Sequence, residues 1–189
     1  MKRSVFKLKE GNVVKIKLDN NSVFIGRVIP GIALILEVYS NEYTEERLLS
    51  IDLQDVSTNK ILFYAAIYRN ELLNGKYPII GNIPFEQNEI DRIPPFFIQD
   101  KSDFRDCTIF WNNGQERKAT PNECIGLEAS AVWTLKSLVQ RIEDWKNGRK
   151  NIQNESLKVI LNETDPRNTD NPTLLRWDFN KEEFYLLEG

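Results

Sequence analysis

Between Thr120 and Trp145 the apolar residues recur at helical spacing, and a helix of that length limits what the rest of the chain can become. Ala131, Leu135, Leu138, Ile142 and Trp145 follow one another at intervals of four, three, four and three, which places them on one helix face. Leu127, Val132 and Val139 widen that face to a stripe about 100° across, broader than a coiled-coil seam. Thr120-Pro121-Asn122-Glu123 has the form of a capping box with proline at the first helical position. Gly148 supplies a stop among Lys146, Arg149 and Lys150, which suit the negative end of the helix dipole. The pattern predicts one long helix over 121–147. Gly126 is its weak point, costing about 1 kcal/mol relative to Ala. It marks either a close approach to a strand or a break between a leading turn and the main helix. A helix apolar on one side must lie on a second layer.

That layer reads as sheet. Val13, Ile16 and Leu18 precede the polar turn Asp19-Asn20-Asn21-Ser22, and Val23–Ile29 runs back, which predicts a hairpin. Gly26 within the return strand suggests a bulge or a close backbone approach. After a turn at Pro30-Gly31, Ile32–Tyr39 is nearly all apolar and reads as a strand buried on both faces. Ile61–Tyr68 and Tyr77–Ile80 are further strands, with a short helical turn ended by Gly75 between them. Residues 84–106 form a long irregular stretch whose phenylalanines, Phe85, Phe96 and Phe97, pin it to the body. Phe104–Trp111 and Gln115–Ala119 flank Asn113-Gly114, the strongest hairpin signal in the chain. Leu157–Leu161 is a strand or one helical turn, and the aromatic stretch Leu174–Leu187 docks on the domain. The expectation is therefore an α+β fold. A strongly bent antiparallel sheet, SH3-like or a meander at its start, carries one long helix. Residues 1–150 are expected to form a single domain, with 151–189 a docked C-terminal extension.

The chain has no histidine, which removes Ser-His-Asp and Cys-His nucleophile systems, HExxH zinc sites and the usual neutral-pH acid or base. Cys107 and Cys124, its two cysteines, make neither a disulfide framework nor a zinc site at that spacing, and read as core. No phosphate-binding glycine loop is present. No apolar run is long enough for a membrane span or a signal peptide, so a cytoplasmic protein is expected, with no cofactor and no metal. Carboxylates are the remaining acid–base groups. Asp100, Asp103 and Asp106 are close in sequence, as are Glu143 and Asp144, but nothing in their spacing makes two of them converge.

The charges are segregated. Residues 2–17 carry Lys2, Arg3, Lys7, Lys9, Lys15 and Lys17 against Glu10, whereas Glu42, Glu45, Glu46, Asp52 and Asp55 face only Arg47. The net charge is just −3, so the second cluster is a local concentration and a candidate contact surface for a basic partner. A basic strand without interleaved aromatics other than Phe6 argues weakly for nucleic acid.

An ordered set of motifs adds to this reading. Lys9-Glu10-Gly11-Asn12-Val13-Val14 leads into Ile25-Gly26-Arg27-Val28; Tyr77-Pro78-Ile79-Ile80-Gly81-Asn82 precedes Pro95-Phe96-Phe97. Glu123-Cys124-Ile125-Gly126-Leu127-Glu128 and Ala131-Val132-Trp133 follow, running to Arg141-Ile142. Over roughly residues 8–148 the chain resembles the immunity protein 26 family of bacterial polymorphic-toxin systems. Tyr77 stands where tryptophan is more usual. The resemblance implies a cytoplasmic protein that binds and neutralises a cognate protein toxin without catalysis. Glu42, Glu45, Glu46, Asp52 and Asp55 are then the expected partner-binding residues. Two other readings stay open: a carboxylate-dependent hydrolase, which needs converging acids with a raised pKa, and a nucleic-acid binding module on the N-terminal strands.

Overall fold

The computed structural model describes residues 9–18, 21–29, 31 and 34–188. Asp19-Asn20 of the first turn, Pro30, the expected strand start at Ile32, and Lys2, Arg3, Phe6 and Lys7 lie outside the described residues. In chain order the elements are β1 (Asn12–Lys17), β2 (Ser22–Ile29), β3 (Ile35–Tyr39), β4 (Tyr43–Thr44), α1 (Glu45–Leu48), α2 (Leu53–Ser57), β5 (Ile61–Ile67), α3 (Arg69–Leu73) and β6 (Ile79–Asn82). There follow α4 (Gln87–Ile90), β7 (Phe96–Gln99), β8 (Cys107–Phe110), β9 (Glu116–Ala119), β10 (Glu128–Ala129), β11 (Val132–Trp133), α5 (Leu135–Lys146), α6 (Ile152–Ser156), β12 (Leu175–Asp178) and β13 (Glu183–Leu186). The fold is α+β, and the chain forms two compact units: Met1–Ile93 with Ala131–Glu143, and Pro94–Ser130 with Asp144–Gly189.

The first unit holds an open sheet of order β11-β5-β3-β2-β1-β6, with β4 paired to β2. Strands β1, β2, β3 and β5 form an antiparallel meander, and β11 joins β5 in parallel. The expected hairpin of β1 and β2 is present, with Ile16 opposite Phe24 and Val14 opposite Gly26. Gly26 makes no bulge; a Cβ there would sit 3.4–3.5 Å from Ile16, Leu36 and Val14, so it is an ordinary packing position. The tight position is Gly11. Its φ is +77° and an added Cβ would stand 2.4 Å from the Ile83 carbonyl oxygen, a backbone approach that only glycine permits.

Both sheet faces are covered. On one, Val13, Ile25 and Tyr39 pack with Tyr43, Val56 and Ile83, and Leu48, Ile51 and Leu53 close over them. The apolar sides of α1 and α2 thus lie on the sheet; Glu46 and Asp55 are exposed, while Glu45 reaches back to Lys15 of β1. The other face carries Phe63, Ala65 and Ile67 of β5, and the Arg141 guanidinium of α5 lies 3.9 Å from the Phe63 ring centroid and 5.0 Å from that of Trp133.

The long helix begins later than its apolar spacing predicts. Thr120 opens a 3₁₀ turn over Pro121–Cys124, Ile125 is extended, and Gly126 has a φ of +84°, which no right-handed helix accommodates. Glu128–Ala129 pairs in parallel with Phe96–Phe97, and Val132–Trp133 with Ala66–Ile67. Long-range strand pairing therefore outweighs local periodicity through residue 133. The true helix starts after Thr134, whose hydroxyl accepts the Ser137 N–H at 3.2 Å. The Glu71 carboxylate, arriving from α3, accepts the Leu135 N–H. Leu138 and Ile142 are fully buried as expected, but Val132 and Trp145, placed on the same stripe by sequence, are about half exposed, at 51% and 46%. Arg141 is buried in their stead. The C-terminus is as read: Gly148 donates to the Trp145 carbonyl and Arg149 to that of Asp144, a Schellman closure.

The second unit has a sheet of order β10-β7-β8-β9 and the separate hairpin β12-β13. Phe96 and Phe97, expected in an irregular loop, are buried in β7. The Asn113-Gly114 hairpin is present, closed by Trp111 N–H to Gln115 O at 2.8 Å. Phe97, Cys107, Ile109 and Cys124 form the core, with Val159 packed against it. Residues beyond 150 are fastened here. Gln99 donates to the Ile160 carbonyl at 2.7 Å and accepts its N–H at 2.8 Å, acting as a strand partner. Arg167 gathers the carbonyls of Glu155, Lys158 and Val159 at 2.9–3.0 Å. Residues 157–161 form neither strand nor helix.

Candidate functional site

The acidic stretch owes its shape to two short capped helices. Thr44 Oγ1 accepts the Arg47 N–H at 3.3 Å and starts α1; Asp52 Oδ1 accepts the Gln54 N–H at 2.9 Å and starts α2. Tyr43 is buried beneath them and takes a 2.7 Å hydrogen bond from Asn59. With the apolar residues held down, Glu42, Glu45 and Glu46 line an open groove of about 700 Å³ together with Asn21, Ser22, Tyr43, Thr44 and Arg47. Asp52 and Asp55 lie on the neighbouring helix, exposed but outside the groove lining.

The five carboxylates are not equivalent. Glu42 accepts the Ser22 hydroxyl. Glu45 meets Lys15 at 2.7 Å and Lys17 at 3.6 Å, so the basic strand and the acidic helix, far apart in sequence, partly neutralise each other. The Lys15 hydrogen bond holds the Glu45 carboxyl below its ordinary range. Asp52 serves as a cap. Glu46 and Asp55 make no ion pair among the described residues.

A second constellation escaped the sequence reading. Direct cross-strand register lines up Val13, Arg27, Glu37 and Tyr64 on one face. Arg27 and Glu37 are almost wholly buried, at 2% and 3% exposure, and pair at 3.1 Å. Glu89 of α4 adds a 2.7 Å contact to the same Arg27 nitrogen, and the Phe85 ring stacks 3.8 Å from the guanidinium. Glu89 also accepts the Glu86 N–H at 2.9 Å, which fixes the turn that delivers it. Partial burial pushes the Glu89 carboxyl up, but Arg27 and the backbone outweigh it and hold it below the usual range. Burial pushes the Tyr64 phenol up to about 12 and raises Tyr39 further. The signal was present in the sequence: one charge inside each of two apolar strands, ten residues apart across a turn.

These are the converging acids that a hydrolase needs, but they converge on a cation, and Glu89 is shifted toward the ionised form. The other candidates do not meet. Asp100 accepts the Ser102 and Asp103 amides, Asp103 pairs with Arg105, and Asp106 pairs with Lys118, all on exposed loops and a strand end. Asp144 is buried and held by Asn151 at 2.8 Å and Arg149 at 3.0 Å. The Cys107 and Cys124 thiols are both fully buried; burial pushes Cys107 up to about 12 and raises Cys124, the reverse of an activated thiol. Cys124 is among the residues that line a groove of about 450 Å³ between residues 124–129 and 154–161. Among the described residues no group of three or more His, Cys, Asp or Glu could hold a metal ion, and no helix is long and apolar enough to cross a membrane.

The segment that carries the groove and the Arg27 cluster also decides the family. A model of the immunity protein 26 family matches residues 9–108, more than half of the chain. The chain belongs to the immunity protein 26 family. The match takes in all five acidic residues, Arg27, Glu37, Phe85 and Glu89, and ends within β8. Helix α5 and the Glu123–Ile142 motifs lie beyond it. Comparison with curated proteins and with solved structures gave no significant match.

Proposed function

We propose that this family member is a cytoplasmic bacterial protein that neutralises a cognate protein toxin by binding it, without catalysis, and that the contact is the acidic surface of Glu42, Glu45, Glu46, Asp52 and Asp55. The observation that carries this reading is the groove. Two capped helices, pinned by Leu48, Leu53 and Val56, present carboxylates on an outward face within the family-matched segment. A toxin that acts on nucleic acid or membranes presents basic surface, and an acidic groove attracts it by complementary charge. Glu46 and Asp55 are the residues most available for this, because Glu45 is shared with Lys15 and Lys17.

The test is protection in cells. A toxin domain that is found in a neighbouring gene and arrests growth when expressed alone is co-expressed with the native protein and with a Glu42→Gln, Glu46→Gln, Asp55→Asn variant. The native protein is predicted to restore growth and to co-purify with the toxin domain. The variant, folded by circular dichroism, is predicted to protect less. Growth arrest unaffected by the native protein contradicts neutralisation; full protection by the variant contradicts the choice of surface.

A further inference from the structure

The hairpin β12-β13 stands as a two-stranded sheet, so among the described residues both of its strands are edges. Such a hairpin is marginal alone, and an exposed apolar edge is a template for another strand. The two edges differ. On β12, Leu175 offers its carbonyl outward, and the Arg176 guanidinium covers it at 2.8 Å. Among the described residues no side chain makes a hydrogen bond of this kind to β13. Tyr185, Leu186 and Leu187 are 39–43% exposed, although they belong to an apolar run, Phe184-Tyr185-Leu186-Leu187.

The register shows which backbone groups face outward. Leu187 N–H bonds to Leu174 O, which makes 174 and 187 a hydrogen-bonded pair. Bonded and non-bonded pairs alternate along an antiparallel ladder. Arg176–Tyr185 and Asp178–Glu183 are therefore bonded, while Trp177–Phe184 and Leu175–Leu186 are not. Phe184 and Leu186 thus turn their N–H and C=O to the open side of β13.

We infer that β13 is a self-association edge, pairing antiparallel with β13 of a second copy about a two-fold axis at Tyr185. The parity selects this arrangement. With the axis at Tyr185, Phe184 of one copy stands opposite Leu186 of the other, and these are the residues with outward backbone groups, so each such pair exchanges both bonds. The side chains agree. Phe184 and Leu186 share a face with Trp177, which meets Phe184 edge-on at 4.8 Å, and the second copy continues that apolar face. Glu182, which would approach Glu188 of the copy, is already paired with Lys150 at 2.7 Å. An isologous contact of this kind closes as a dimer. A single strand edge is smaller than the roughly 1,200–2,000 Å² of a stable interface, so the dimer dissociates on dilution.

Sedimentation velocity of the full chain over a wide concentration range tests this. The native protein is predicted to shift from monomer to dimer as concentration rises. Leu186→Pro removes one outward N–H while leaving the hairpin ladder bonded, and is predicted to abolish the shift; Tyr185→Lys does the same by charge should the proline variant not fold. Tyr185→Cys is predicted to form an intermolecular disulfide under mild oxidation, because non-bonded partners sit about 4.5 Å apart at Cα; Leu187→Cys, out of register, is not. A protein monomeric at every concentration overturns the inference. So does a dimer that survives both substitutions and does not cross-link at 185, which places the contact elsewhere.

Discussion

Arg27 and Glu37 are the residues on which the first unit is most exposed to change. A pair this deeply buried stabilises little relative to apolar packing, but removing one partner strands the other charge in a dry interior. Arg27→Met is therefore predicted to cost about 3–5 kcal/mol in urea melts, and adding Glu37→Leu to recover most of that loss. A loss for the single variant below about 1 kcal/mol would mean that water reaches the pair. Glu89 gives the site a pH dependence. Its folded-state pKa is depressed, so its contribution is present above the ordinary glutamate range and is lost as pH falls through the depressed value. The stability difference between native protein and Glu89→Gln is predicted to be constant near neutrality and to shrink on acidification below that range, measured by melts at stepped pH. The cross-strand half of this cluster was legible in the sequence from two lone charges in apolar strands. The half supplied by Phe85 and Glu89 was not, because no local pattern says where a segment 62 residues from Arg27 returns.

At the scale of elements, local chemistry was read well and its extent was not. The capping box at Thr120 exists: Glu123 accepts the Thr120 N–H at 2.8 Å, and these bonds and Arg117 lower its pKa to about 2. It closes one 3₁₀ turn rather than opening a long helix, because Gly126 and two short parallel pairings intervene. The apolar spacing from Leu127 to Trp145 corresponds to a buried helix face only between Leu135 and Ile142, since Trp145 is about half exposed. Parallel pairing of two-residue strands leaves no sequence signature, whereas Gly126 did mark the break. Two predictions belong to the helix itself. Leu138→Ala is predicted to destabilise by about 2–5 kcal/mol, since Leu138 is fully buried on the sheet-facing side. Thr134→Ala is predicted to cost about 1 kcal/mol as loss of the true cap, and more than Thr120→Ala, which caps a single turn. Equal losses from the two threonine variants in denaturant melts would contradict the helix start assigned to Thr134.

For the whole molecule, meander, family and charge segregation were all readable, since each is carried by strand alternation, motif order or composition. The meeting of the two charged regions was not. Lys15 and Lys17 bind Glu45, so the acidic surface is defined as much by what the fold neutralises as by what the sequence supplies. The boundary expected at residue 150 is a matter of cooperativity, and the compact units divide the chain at other points, after Ile93, Ser130 and Glu143. The acidic surface is proposed to steer a basic toxin. The direct measurement is the stopped-flow association rate, at low and high salt, between the purified protein and the toxin domain that it protects against in the growth test. Glu45→Gln, Glu46→Gln and Asp52→Asn are combined, since Asn keeps the α2 cap. The combined variant is predicted to associate roughly tenfold more slowly at low salt. The difference should largely vanish near 1 M salt, where screening acts within about 3 Å. An unchanged rate at low salt, with the fold intact, would contradict steering by this surface.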